Sequence, residues 1–180
     1  MAHPVSRCLS AVLLALTAAS ASAAQPPVLL KFKGAIGVDP LTAAGGVDTL
    51  NVVRGINPGG RAWVIRSLDA TVYADGYIVA SGKGLLFSSG EVIATRGPVS
   101  QVVATLACGA ADATAGKFTS DPASLNDAGN FKIRGSLTGR DASGNIVPFP
   151  PACTNPKLLI RASATGGWFA AGILDSDAED

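Results

Sequence analysis

The sequence predicts an all-β protein, and we favour an antiparallel β-sandwich of about eight or nine strands with one disulfide. Short runs rich in Val, Ile, Leu and Thr are cut by frequent glycine, 21 in 180 residues. No long stretch repeats apolar residues at helical spacing. Many short strands with frequent turns are typical of sandwiches, and a small β-barrel is the alternative.

Two segments alternate apolar and cationic residues: VLLKFKGAI at 28–36 and NFKIRGSL at 130–137. Period-2 alternation is typical of a strand with one face on the core and one in water. The cations predicted to face outward are Lys31 and Lys33 in the first segment, and Lys132 and Arg134 in the second. If the two strands were neighbours, these cations would merge into a patch that suits a polyanion such as an acidic polysaccharide.

The clearest hairpin signal is ATVYADGYIVA, in which Asp75 and Gly76 suit a type I′ turn. This turn predicts strands near Trp63–Tyr73 and Tyr77–Phe87, with Gly82 marking a bulge or a close backbone approach. Further strands are predicted at 101–108, 117–119, 157–162 and 168–173. Turns are predicted at 127–130 and 143–145, and a long irregular loop at 109–130.

The N-terminal segment MAHPVSRCLSAVLLALTAASASAA has the features of a secretory signal peptide. Arg7 precedes a short apolar run, and small residues that fit a cleavage site follow it. We therefore expect a signal peptide at 1–24, a single domain at 25–174 and a frayed acidic tail at 175–180. The protein is predicted to be secreted or periplasmic, without stable membrane insertion.

Loss of the signal peptide removes His3, the only histidine, so the Ser-His-Asp triad is excluded. It also removes Arg7, which leaves equal numbers of basic and acidic residues and no basic field for nucleic acid. We expect no cofactor and no enzymatic activity. A carboxylate-based hydrolase is the minor alternative, with Asp69 and Glu91 as the acids nearest to strands.

Two cysteines, Cys108 and Cys153, remain after export. Two cysteines in an exported chain are most simply a disulfide. A thiolate nucleophile needs a base such as histidine, and a structural zinc site needs four Cys or His ligands. The prolines on both sides of Cys153 restrict its backbone, which suits an anchored thiol better than a reactive one.

Two further sets of residues are candidate ligand sites. The large aromatic rings could stack against a sugar, although core packing is the competing interpretation; these are Trp63, Trp168, Tyr73 and Tyr77. Three acids in the irregular loop are candidate calcium ligands, although turn capping explains them better; these are Asp112, Asp121 and Asp127.

The C-terminal segment PPACTNPKLLIRASATGGWFAAGI at 150–173, together with RAWVIRSLDA at 61–70, resembles a group of small exported bacterial proteins of uncharacterised role. The resemblance implies export and a β-rich domain. It implies no activity, cofactor or ligand. The sequence thus predicts a secreted, non-enzymatic protein that acts by contact with a protein or polysaccharide partner, with a Trp/Tyr ligand-binding module as the alternative.

Overall fold

The computed structural model describes residues 25–40, 44, 51–110 and 116–176. Across these residues the protein is built from β-strands and contains no α-helix. Consequently, the described part has no helix long and apolar enough to cross a membrane. The predicted signal peptide lies outside the described residues.

Thirteen strands are present in the described ranges. They are β1 Val28–Gly37, β2 Trp63–Val64, β3 Ser67–Tyr73, β4 Tyr77–Lys83, β5 Leu86–Phe87, β6 Gln101–Cys108, β7 Gly116–Thr119, β8 Ala123–Ser124, β9 Phe131–Ser136, β10 Thr138–Arg140, β11 Ile146–Val147, β12 Lys157–Arg161 and β13 Trp168–Leu174. The predicted strands at 101–108, 117–119, 157–162 and 168–173 are confirmed as β6, β7, β12 and β13. The predicted irregular loop at 109–130 holds two short strands, β7 and β8.

Most strands join one antiparallel sheet in the order β11-β10-β7-β6-β12-β13-β1-β3-β4-β9, with β8 paired to β6. Strands β2 and β5 form a separate two-stranded sheet. The long sheet is strongly curled, like half of a barrel, and β8 lies next to β9, so the β9 end approaches β6 again. The all-β antiparallel prediction is confirmed, whereas the two facing sheets of a sandwich are not.

A single cluster of buried side chains fills the concave side of the curled sheet. It draws residues from strands far apart in the order, including Phe32, Leu68, Leu106, Ile133 and Leu158. Curling lets one sheet bury apolar side chains against itself, which flat sheets achieve only by stacking. The core thus forms without a second large sheet among the described strands.

The alternation predicted for β1 and β9 is confirmed. Phe32 is buried and its neighbours Lys31 and Lys33 are exposed. In β9, Phe131 and Ile133 are buried, while the cations between and after them are exposed. Period-2 patterning therefore assigned the faces correctly in β9 and in β1 as far as Lys33, whereas Ile36, beyond the register shift after Phe32, is exposed.

The hairpin between β3 and β4 is confirmed, but its turn is not type I′. The Gly76 N–H donates to the Tyr73 carbonyl (2.9 Å), and the Tyr77 N–H donates to Asp75 Oδ1 (2.9 Å). Gly76 has φ of 82°, whereas Asp75 is not among the non-glycine residues with positive φ. A type I′ turn needs positive φ at both positions, so the loop is the three-residue kind that ends on a left-handed glycine.

The two predicted turns are also present. The Gly129 N–H donates to the Asn126 carbonyl, and the Gly144 N–H donates to the Asp141 carbonyl. Hydrogen bonds, first from the Asn145 side chain and then from its backbone, hold the pKa of Asp141 below its ordinary value. Asp141 thus caps its turn, as predicted for acids in such sequence.

The predicted disulfide is confirmed between Cys108 and Cys153. It joins the end of β6 to the loop before β12, where the Gly109 N–H also donates to the Thr154 carbonyl (2.8 Å). The linked residues are 45 positions apart, and closing a loop of this size in the unfolded chain stabilises the fold by about 4 kcal/mol. The bond therefore reinforces a strand pair that is already formed.

Replacing both cysteines, Cys108→Ala with Cys153→Ala, should lower the free energy of unfolding by about 4 kcal/mol, since the unfolded chain regains its loop entropy. Urea denaturation of the mature protein measures this change. Reduced wild-type protein serves as the control and should lose a similar amount. Two alkylatable thiols in untreated exported protein would contradict the disulfide.

Gly82 makes room for a side chain, whereas the sequence predicted a bulge or a close backbone approach there. A Cβ built at this position would lie 2.2 Å from the ring of Phe131, its partner on β9. Gly82→Ala should therefore force the ring to move and destabilise the fold by about 1–3 kcal/mol. Gly60→Ala is the matched control, because a Cβ there meets nothing within 4 Å. Equal midpoints of urea denaturation for the two variants would show that the contact is unimportant.

Candidate ligand-binding surface

Both tryptophans lie in the core, so neither offers a stacking surface to a ligand. Trp63 is 3% exposed and its ring lies 4.1 Å from that of Phe169, centroid to centroid. Trp168 is 6% exposed, and its indole Nε1 donates to the Asn51 carbonyl (2.9 Å). The prediction of ligand stacking on these two residues is wrong, because their strands turn them towards the concave side of the sheet.

The two tyrosines stay at the surface beside the β3–β4 turn. Their ring centroids are 6.4 Å apart, and Tyr77 is 38% exposed. A pocket of about 240 Å³ opens beside them and also has Asp75 and Arg134 in its lining. We call it the tyrosine pocket. Of the four predicted stacking residues, Tyr73 and Tyr77 remain available to a ligand.

The predicted calcium ligands do not form a described cluster. Asp112 lies outside the described residues, and Asp127 is paired with Arg96 (Oδ1 to Nε 2.8 Å). The described ranges hold no group of three or more His, Cys, Asp or Glu residues suited to a metal ion. Asp121 instead lines two neighbouring surface grooves.

The predicted cationic residues form two separate groups on the outer face. Strands β3 and β4 lie between β1 and β9, and one cross-strand row reads Lys33, Asp69, Ser81, Lys132. Three strand spacings separate its ends by about 14 Å. The cations of β1 and β9 therefore do not merge into one patch, and Asp69 lies between them.

Strand β9 has one unpaired edge, because among the described strands only β4 forms a ladder with it, although β8 lies next to part of that edge. The Leu137 N–H donates to the Gly76 carbonyl, which fixes the alternation of the ladder. The backbone groups of Lys132, Arg134 and Ser136 therefore point away from β4. A groove of about 540 Å³ runs between this edge and β8, with Lys132, Arg134 and Asp121 in its lining. We call it the seam groove.

A second groove, of about 380 Å³, lies on the outer face of the β12-β6-β7-β10 part of the sheet. Asp121 belongs to its rim and to that of the seam groove. The residues that line the second groove are Lys117, Thr119, Ser120, Asp121, Thr138, Arg140, Arg161 and Ala164. We call it the arginine groove, because it contains the buried Arg161.

Arg161 is the residue that sequence reasoning missed. It is 5% exposed, and its Nε and Nη2 donate to the Gly166 carbonyl (3.0 and 2.8 Å). Its Nη1 donates to Thr105 Oγ1 (3.3 Å), and burial lowers the pKa of the guanidinium. A signal was present in the sequence, since Arg161 ends KLLIR, a strand otherwise apolar after its first residue.

Arg54 is the other buried arginine in the described ranges. Its Nη2 donates to the Asn155 carbonyl (2.8 Å), and its Nη1 is buried without a hydrogen-bond partner among the described residues. This contact ties the 53–56 turn to the loop that holds Cys153. Arg54 does not line the seam groove or the arginine groove, so we assign it a structural role.

Comparison with family models, with curated proteins and with solved structures gives no match. The resemblance to small exported bacterial proteins stays a prediction.

The burial of both tryptophans predicts a blue-shifted fluorescence emission and weak quenching by acrylamide. Quenching should be several-fold weaker than in the same protein unfolded in urea, which is the control. Acidic or neutral sugars should leave the emission spectrum nearly unchanged, because no indole reaches the surface. Native quenching as strong as that of the unfolded chain would contradict the packing described for Trp63 and Trp168.

Proposed function

We propose that this chain is an exported, non-enzymatic binding protein that acts by contact, and that its partner is an acidic polysaccharide held along β9. The observation that carries the proposal is the pair of outward cations, Lys132 and Arg134, that line the seam groove. Export is supported by the signal-like N-terminus and by a disulfide, which persists in oxidising compartments.

The charge of the seam groove favours an anionic partner. Lys132 and Arg134 lie two residues apart on one face of β9, about 7 Å from each other along the strand. The only acid in the lining of this groove is Asp121. Neighbouring like charges on an open groove concentrate anions and speed their association. A linear polyanion with regularly spaced charges fits such a strand.

The tyrosine pocket extends this surface towards the β3–β4 turn. Arg134 lines both the seam groove and the tyrosine pocket, so the two adjoin at this residue. Tyr73 and Tyr77 supply rings for sugar faces, and Arg134 supplies a charge beside them. Asp75 also lines this pocket, so the pocket supplies rings for a sugar, while the positive charge that favours an acidic sugar comes from Lys132 and Arg134 in the seam groove.

The positions of the two candidate acids support a binding role over hydrolysis. Glycosidases need two carboxyl groups on either side of one bond, within about 10 Å. Asp69 lies on the outer face of β3 in the row between Lys33 and Ser81. Glu91 lies exposed in the turn after β5. Neither lines the seam groove or the tyrosine pocket.

A protein partner is the second candidate, and the unpaired edge of β9 favours it. An added strand can pair with the outward backbone groups of β9 only along the part of this edge that β8 does not approach. The same cations would repel a second copy of β9 and favour an acidic segment. Such a partner would occupy the same part of β9 and would therefore compete with a bound acidic polysaccharide.

The proposal predicts that the mature protein binds a polyuronate such as alginate and binds neutral dextran at least tenfold more weakly, as measured by calorimetry. Raising the salt from 50 to 300 mM should weaken alginate binding, because exposed charges are screened. The double change Lys132→Gln with Arg134→Gln should lower the affinity roughly tenfold, since two direct charge contacts are lost.

The matched control is Lys31→Gln with Lys33→Gln, which removes the same charge from β1. This variant should bind alginate nearly as well as the wild type. Equal losses in both double variants, or equal binding of alginate and dextran, would refute a polysaccharide site on β9.

A further inference from the structure

The arginine groove is built on one face of four neighbouring strands. The register places Leu159, Thr105, Thr119 and Thr138 in one row across β12, β6, β7 and β10. Residues two positions away share that face, so Arg161 flanks one end of the row. Arg140 flanks the other end, on β10. The strand order therefore assembles two arginines around a row of threonine hydroxyls.

The charge of Arg161 has no carboxylate partner among the described residues. Its hydrogen bonds go to a carbonyl and to a hydroxyl, which are neutral acceptors. A guanidinium keeps its charge at neutral pH even when burial lowers its pKa. A buried cation is unfavourable unless a counter-charge compensates it. Arg161 is thus placed to gain from an anion in the groove.

Threonine hydroxyls next to Arg161 add hydrogen-bonding groups to the groove. Thr105 Oγ1 accepts from Arg161 and lies 3.0 Å from Thr119 Oγ1. When Thr105 donates to Thr119, the Thr119 hydroxyl proton is left to point at a ligand. Thr138, directly opposite Thr119, adds a second hydroxyl to the same spot.

The number of donors favours a phosphate group over a carboxylate. The lining of the groove holds three cations against one acid, Asp121. The cations are Arg161, Arg140 and Lys117. The register places Thr119 and Thr138 between the two arginines. A phosphate monoester offers three strong acceptor oxygens and nearly two negative charges at neutral pH, whereas a carboxylate has two oxygens and one charge. Planar guanidinium groups match phosphate oxygens in pairs.

We propose that the arginine groove binds the phosphate group of a small phosphorylated molecule. Its volume of about 380 Å³ lies within the usual range of small-molecule pockets, about 300–1,000 Å³. The phosphate lies on the threonine row between the two arginines, and the organic part extends into the remaining space. This site is separate from the polysaccharide surface on β9 and does not depend on it.

Calorimetry on the mature protein with its disulfide intact tests the proposal, with glucose 6-phosphate, glucuronate, inorganic phosphate and glucose as probes. Glucose 6-phosphate and inorganic phosphate should bind, glucuronate at least tenfold more weakly, and glucose not at all. Arg161→Lys keeps the charge but loses the planar fork, so phosphate affinity should fall at least tenfold.

The Arg140→Gln variant distinguishes a loss of phosphate binding from a folding defect, which a change of the buried Arg161 could also cause. Arg140 is exposed, and besides lining the groove it donates to the Gly144 carbonyl (2.8 Å). This variant should keep the wild-type melting temperature within a few degrees and lose about tenfold in phosphate affinity. Lys31→Gln and the Lys132→Gln, Arg134→Gln variant are the controls, and both should retain wild-type phosphate affinity.

Three outcomes would overturn the proposal: no phosphate binding by the wild type, unchanged binding in a folded Arg140→Gln variant, or equal losses in the β1 and β9 controls. Loss of alginate binding in the β9 variant with phosphate binding intact would support two separate sites. Failure of alginate binding alone would leave the phosphate site standing.

Discussion

The pairing of β6 with β12 is the interaction on which the rest of the structure depends. Strand β6 is buried from Val102 to Cys108, and it pairs with β12 along one edge and with β7 and β8 along the other. In the order of the sheet, β6 links two groups of strands. The group β12, β13, β1, β3, β4 and β9 lies on one side of it, and β7, β10 and β11 lie on the other. The disulfide joins the end of β6 to the loop before β12, so the covalent link reinforces the most central contact of the sheet.

Burial of β6 on both faces explains why a polar site exists beside it. One face packs into the core through Leu106 and its neighbours, while the other carries Thr105 beneath the side chain of Arg161. Polar groups in such a position must bond to one another, because water has little access. The hydrogen bonds that link Arg161 to Thr105 and Thr105 to Thr119 meet this requirement. They still leave Arg161 without a carboxylate partner among the described residues.

The β9 end of the curled sheet has different chemistry from the buried strands at its middle. Strand β9 leaves an edge unpaired over Lys132–Ser136, with β8 beside part of it, and charged side chains on an edge discourage association with identical strands. The seam groove and the arginine groove meet at Asp121, which lines both. The return of β9 towards β6 through β8 thus brings two cationic grooves side by side, although their residues come from strands distant in sequence.

Local patterns in the sequence determined most of the longer strands, the faces of β9 and of the first part of β1, the position but not the type of the turn at Asp75–Gly76, and the cysteine pair. They did not predict that 63–73 and 77–87 each split into two strands. The features that they did determine depend on period-2 alternation, on residues suited to turns and on a count of thiols, all of which act over short distances or by elimination. Only the tertiary structure decided that one sheet curls on itself, that Trp63 and Trp168 face inward, and that the cations of β1 and β9 stay apart. Those outcomes depend on which strands become neighbours, and alternation carries no information about strand order. The site at Arg161 also depends on strand order. A charged residue at the end of an apolar strand can form a site only where the fold places Thr119, Thr138 and Arg140 on neighbouring strands.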